Sequence, residues 1–218
     1  AYSEINEGDA IHAAVRINEY NDAFEGEIIQ IKTLSKEAAE KIFHAIHQIQ
    51  RQRAEPLKRD FLVKSPILGK LKDRFLKAET EIRLAVMQNR PIIVRHHNDT
   101  DGYSSGFALE RAIVPLIEKQ HGGGKSEWEF FLRAPCAAPF YEIDDSIRDT
   151  ANSLRNEAKF SNKMPLVIIA DNGSTEQDLI GIKQGKVHGM DFIVIDHHPF
   201  EKDVISDEIE EWVDLQRS

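Results

Sequence analysis

The chain is poor in cysteine: Cys136 is the only one among 218 residues. One thiol cannot close an internal disulfide, and without a Cys-x-x-Cys pair a thiolate zinc site is excluded too, so any metal must sit on histidine and carboxylate. No apolar run approaches the roughly 20 residues needed to cross a bilayer. The opening AYSEINEGDA also lacks the basic-then-apolar order of a secretory signal. The expectation is a cytoplasmic protein with no membrane segment. Positive charge is scarce as well, with 28 Lys and Arg against 37 Asp and Glu and a formal net charge of −9. That balance argues against a protein that coats nucleic acid non-specifically, because phosphate contacts need a clustered positive surface. What the chain has is 41% hydrophobic residues, enough to pack one sizeable α/β domain, alone or with a smaller appendage.

The charge is unevenly spread. From Arg51 to Lys77, nine bases face three acids, whereas from Asp196 to Ser218, eight acids face two bases. A basic run is usually a solvated helix face; the alternative is a strip that guides a polyanion toward a site elsewhere. No aromatic stacking platform of the kind used by strong single-strand binders accompanies the strip.

Residues 1–35 read as two alternating strands, AIHAAVRINEY and EGEIIQIKTL, separated by NDAF, whose Asn-Asp suits a turn. Two strands cannot bury a core, so this segment is expected to be the remnant of a small OB-like β-barrel. Residues 36–88 are expected to be a helical connector. Ser35 caps a first helix with Ala39, Ile42, Phe43, Ile46 and Ile49 on one stripe, Pro56 ends it, and ILGKLKDRFLKAETEIRLAVMQN forms a second. His44 and His47 stand three apart on the first helix but lack a carboxylate in register, so they read as surface residues.

From residue 89 to 218 the order becomes strand, helix, strand. PIIVRH leads to a helix from Ser104 or Ser105, then the strand EWEFFLR, a helix near 142–158, the strand PLVIIAD, a helix from Thr175, and the strand DFIVID. Strands with no polar alternation belong in a parallel sheet covered on both faces, which predicts an α/β, doubly wound fold. Ligands in such sheets collect beyond the C-terminal strand ends. Here those ends carry His96-His97-Asn98-Asp99-Thr100-Asp101-Gly102, Asp171-Asn172-Gly173 and Asp196-His197-His198. On an extended backbone, His97, Asp99 and Asp101 would project together, and this alternation favours His97 over His96. Each piece alone is commonly a turn or a strand end. Together, an uncompensated acid cluster would repel itself, and bound cations are the natural compensation. Imidazole plus carboxylate suits Mn²⁺ or Mg²⁺, with iron or zinc also compatible. HGGGKS at 121–126 is not a phosphate-binding P-loop, since Lys119 occupies the first glycine position and the segment follows a helix.

HNDTDG, DNG and DHH in this order, each after an apolar strand, resemble motifs I, II and III of the DHH phosphoesterase superfamily, most closely its RecJ-like archaeal single-strand exonucleases. The resemblance implies a metal-dependent phosphodiesterase that hydrolyses single-stranded DNA or RNA from a 5′ end with two Mn²⁺ or Mg²⁺ ions. It places His97 and Asp99 on the first ion, Asp101 and His197 on the second, and Asp171 between them. His198 would contact the scissile phosphate and Asp196 would orient the histidines. Replication or repair proteins are the implied partners. A phosphoesterase of small nucleotides or short oligonucleotides is one alternative, and a non-catalytic replication scaffold, which would have lost metal ligands, is another. The family's fourth motif and C-terminal DHH-associated domain are not found in this sequence, and the chain is expected to be a fragment that is inactive alone. Asp203, Asp207 and Asp214 read as solvated charges, and SDEIEEWVDLQRS as an acidic helix.

Overall fold

The computed structural model describes residues 5–6, 9–20, 23–57, 59–122, 125–157, 163–199 and 211–214, in two compact units, 1–52 and 53–218. In the first unit, β1 (Ile11–Tyr20) and β2 (Ala23–Thr33) pair antiparallel, with a register shift between Ala14 and Val15. The expected Asn21-Asp22 turn lies outside the described residues. Helix α1 (Lys36–Ala54) begins after Ser35, whose Oγ accepts from the Ala38 amide at 3.3 Å. Of the apolar stripe on α1, Ala39 is buried, whereas Ile42, Phe43, Ile46 and Ile49 are exposed, as are Val15, Ile17 and Phe24 on the hairpin.

The second unit is a three-layer α/β structure. Its sheet runs in the order β4-β3-β5-β6-β7, all parallel, with β3 Ile92–His96, β4 Phe131–Pro135, β5 Leu166–Ala170, β6 Asp191–Asp196 and β7 Glu211–Asp214. Both faces are covered, as strands without polar alternation require. On one face, Ile92, Val94, Leu166, Ile168 and Ile193 pack with Ala78, Ile82, Ala85 and Val86 of α2 (Pro66–Met87) and with Ile113 and Ile117 of α3 (Thr100–His121). On the other, Ile93, Val167, Ile169, Phe192 and Val194 pack with Tyr141 and with Ile182 of α6 (Glu176–Val187). The chain reverses its winding between β3 and β5, the position where such sheets open a crevice.

Several expectations change. The connector of residues 36–88 is not one piece: α2 is a wall of the α/β core because its apolar stripe is buried there, while residues up to Gln52 go with the hairpin. EWEFFLR is divided into a short helix α4 (Ser126–Phe130) and β4. The Phe130 ring turns inward to stack on His121, with ring centroids 3.9 Å apart. The acidic helix is replaced, in its described part, by β7, which pairs with the otherwise open edge of β6. Helix α3 starts at Thr100, four residues before the serines, because Asp99 caps it first, accepting from the Gly102 amide at 2.9 Å. The Ser104 and Ser105 hydroxyls instead donate back to the Thr100 and Gly102 carbonyls. Helix α5 spans Ile143–Glu157.

α3 lies so close over β3 that a Cβ on Gly106 would stand 2.4 Å from Cδ2 of the fully buried His96. Gly106→Ala should therefore destabilise the α/β unit by about 1–3 kcal/mol in urea denaturation, the usual cost of overpacking; an unchanged midpoint would contradict the packing.

Candidate metal centre

Three neighbouring strands end at the same level. The His97 amide donates to the Ala170 carbonyl at 3.2 Å, and the Asp171 amide donates to the Ile195 carbonyl at 2.9 Å. This register, built from apolar residues deep in the sheet, delivers His97, Asp171 and Asp196 side by side at the C-terminal edge.

The alternation at the end of β3 separates His96, its last residue, from His97, which follows it. His96 is fully buried, its Nδ1 donates to the His97 carbonyl at 2.7 Å, and its Nε2 lies 3.4 Å from Arg133 Nη1. His97 faces the edge, its Nδ1 3.2 Å from Asp99 Oδ2 and 3.8 Å from Asp171 Oδ2. Gly102 makes this turn possible: a Cβ there would lie 2.1 Å from the His97 carbonyl oxygen. Asp171 takes the left-handed backbone region at φ 61°, a conformation that costs energy in a non-glycine residue and concentrates at functional sites.

Two groups of ligand-type atoms form, each within 4.8 Å: His97, Asp99 and Asp171, and then Asp171, His197 and His198. Asp171 belongs to both, with Oδ1 2.9 Å from His197 Nε2. Asp101 belongs to neither; it stands exposed on the first turn of α3, since the extended path ends at Asp99. Asp196 is buried below the second group. Its Oδ1 accepts from the amides of His197 and His198, at 2.7 and 3.2 Å, and from His198 Nδ1 at 2.8 Å, while its Oδ2 accepts from Ser174 Oγ.

Electrostatics follow from these contacts. Burial, and then the charge of Asp99, push the Asp171 carboxyl above the usual range. The Gly102 amide holds Asp99 below it. The hydrogen bond to Asp196 raises His198. His97 Nδ1 and Asp171 Oδ2 are buried and without a hydrogen-bond partner. A ring nitrogen and a carboxylate oxygen 3.8 Å apart, neither hydrogen-bonded and both beside a second carboxylate, fit a divalent cation, and nitrogen plus oxygen donors without sulfur fit the Mn²⁺ or Mg²⁺ class.

Asp203 and Asp207 lie outside the described residues, and Asp214 stands on β7 opposite Asp196 in register. Sequence reasoning missed a buried ion cluster beneath the site. Arg95 donates to both oxygens of Asp149 and to Asp145 Oδ1 at 3.2 Å, and Tyr141 Oη donates to Asp149 Oδ2 at 3.2 Å. The signal was one arginine in an apolar strand with two acids four apart on α5. Ser174 was also missed, and nothing in its sequence context distinguishes it from a turn residue.

A model of the DHH family, N-terminal domain, matches residues 91–216. The uncharacterized protein MJ1198 of Methanocaldococcus jannaschii is 40% identical over 211 residues, covering 96% of this chain and 28% of the relative. A solved DHH domain, described as that of a member of a family of ribosomal proteins, superimposes with a TM-score of 0.77 at 38% identity, over 83% of this chain and 43% of that one. The chain thus spans less than half the length of either protein.

Mn²⁺ at about 100 times its Kd should stabilise the wild type by about 2.7 kcal/mol in thermal unfolding. Asp171→Asn should lose most of that gain and be more stable than wild type without metal, since it removes a buried charge beside Asp99. An equal Mn²⁺ effect on both proteins would remove Asp171 from the centre.

Proposed function

Because the chain belongs to the DHH family, a phosphoesterase superfamily, we propose that it is the N-terminal DHH part of a metal-dependent phosphodiesterase. Its proposed substrate is single-stranded nucleic acid, degraded exonucleolytically in the manner of the RecJ-like enzymes it resembles and in the service of DNA repair or replication. The observation that carries this reading is that, among the described residues, the buried His97 Nδ1 and Asp171 Oδ2 make no hydrogen bond within a histidine and carboxylate cluster.

In this reading His97, Asp99 and Asp171 would hold one ion, and Asp171 with His197 a second, Mn²⁺ or Mg²⁺. Asp101, outside both groups, enters as a ligand to be tested by its Asn variant. When bound, divalent ions supply Lewis acidity toward phosphoryl oxygens and bring water closer to the ionised state at neutral pH. The protein's own contribution is positional. Asp196 engages His198 Nδ1, which leaves Nε2 for a phosphoryl oxygen. The same contact favours the protonated, donating ring. No side chain needs to become covalently attached.

A polymer substrate draws support from α3. Tyr103 and Phe107 stand half-exposed, four residues apart, within two turns of Asp99, and Arg111 follows at the same spacing. Two aromatic faces and a cation running away from the centre suit stacked bases and a phosphate. Sequence reading overlooked them because the helix was started too late to place Tyr103 on it. The acidic net charge favours the second reading, a phosphoesterase of small nucleotides.

With Mn²⁺, the full-length protein that contains this chain should shorten a long single-stranded DNA faster than it cleaves a dinucleotide. His198→Asn should lower kcat about 10²–10³-fold. Tyr103→Ala and Phe107→Ala should each weaken single-strand binding by about 1–3 kcal/mol in anisotropy titrations. A dinucleotide cleaved while long strands survive would move the assignment to small nucleotides. Failure of calorimetry to detect Mn²⁺ binding by the wild type would leave a non-catalytic scaffold.

A further inference from the structure

We propose that Ser174 is a positioning residue for His198, acting through Asp196; the inference rests on the phosphoesterase reading of the same site. Ser174 lies in the short loop that carries Asp171 away from β5 toward α6, and it is almost wholly buried, as is Asp196. Its hydroxyl donates to Asp196 Oδ2. The other oxygen, Oδ1, takes three donors: the amides of His197 and His198 and His198 Nδ1. Among the described contacts, one carboxylate oxygen therefore serves the histidine arm and the other is held by Ser174 alone.

The hydroxyl is itself fixed from both sides. Before it, Gly173 adopts φ 99°, and a Cβ there would stand 2.9 Å from Ile169 Cγ2, so the loop is pressed onto the core. After it, the Thr175 amide donates to Asp178 Oδ2 at 2.9 Å, and Asp178 Oδ1 in turn accepts from the Tyr141 amide at 2.7 Å. The carboxylate of Asp196 thus has one immobile donor at its back. Without that donor, the buried Oδ2 loses its partner and the carboxylate gains freedom to rotate about its Cβ–Cγ bond. The hold on His198 Nδ1 then loosens, and with it the tautomer and the aim of Nε2. Second-sphere groups of this kind commonly change activity 10–100-fold when removed. Through Ser174, the loop that bears Asp171 also sets the ring that follows His197, coupling two strand ends that share no covalent connection nearby.

The test uses Ser174→Ala with Ser174→Thr as the rescue, in the full-length protein that contains this chain. Long-range ¹H–¹⁵N spectra should show a single His198 ring state in wild type, with a proton on Nδ1 held toward Asp196, and a mixture of ring states in Ser174→Ala, with threonine restoring the single state. In hydrolysis, kcat should fall about 10–100-fold in the alanine variant at unchanged KM, while calorimetric Mn²⁺ affinity stays within about twofold. A single unchanged His198 form with wild-type kcat overturns the proposal. So does a parallel loss of Mn²⁺ affinity and kcat, which would make Ser174 a plain structural tie between the loops. Should alanine unfold the protein, Ser174→Cys, similar in volume but a weak donor, is read by the same spectra. A wild type that neither binds Mn²⁺ nor cleaves a phosphodiester would remove the phosphoesterase reading, whereas the His198 spectra would still decide whether Ser174 governs the ring.

Discussion

A carboxylate kept where water barely reaches it is the constraint around which the α/β unit is arranged. Asp171 is nearly buried, adopts a left-handed backbone, and lies beside Asp99, whose charge disfavours its own. Each of these costs stability, and none would persist at the end of a loosely held strand. They persist because β5 is central in its sheet and buried along its whole length, with the Asp171 amide bonded across to the Ile195 carbonyl. The apolar strands therefore do more than pack. Their register decides how closely the acids approach, and that approach creates the demand for a cation.

The arrangement of α3 extends the same principle to a helix end. Asp99 caps the helix with Oδ1 while Oδ2 faces His97. One residue thereby stops the strand, starts the helix and joins the cluster. Gly102 is the condition for this economy, since any side chain there would strike the His97 carbonyl. Gly106, one turn later, lets the helix settle onto His96, whose ring in turn grips that carbonyl from beneath. The His97 backbone is thus clamped between β3's own neighbour and the helix that follows.

Much of this was readable from the sequence, and the failures have physical causes. LVIIA and FIVI lack polar alternation, which fixed them as strands covered on both faces, and the strand ends pointed to the edge where the candidate residues meet. His97 was separable from His96 because alternation is a local rule. Asp101 stands apart from both groups because its place on the first turn of α3 takes it off the extended path. The rule holds only while the backbone is extended, and a carboxylate ahead of the serines had already capped a helix. The segment ending at Asp214 was misread because its acids suggested a solvated helix, whereas pairing with the open edge of β6 depends on a distant partner that a local reading cannot see. The ion cluster of Arg95 with Asp145 and Asp149 was missed for a similar reason, as its members are about fifty residues apart and meet only once α5 covers the sheet.

The distribution of oxygens among the three aspartates explains why they cannot have the same task. Asp99 has one oxygen committed to an amide and the other turned toward His97. Asp171 has one oxygen beside His197 and the other buried without a partner. Asp171 therefore retains an atom that no hydrogen bond of the described residues reaches, and Asp99 one that meets only an imidazole nitrogen, as suits a metal ligand. Asp196 retains none: one oxygen accepts from the backbone and ring of the His197-His198 arm and the other from Ser174. A carboxylate with both oxygens held by protein donors would lose a bond by turning toward a cation. The three acids at one sheet edge thus divide by their contacts: Asp99 and Asp171 face the histidine cluster, whereas Asp196 is held between the His198 ring and Ser174.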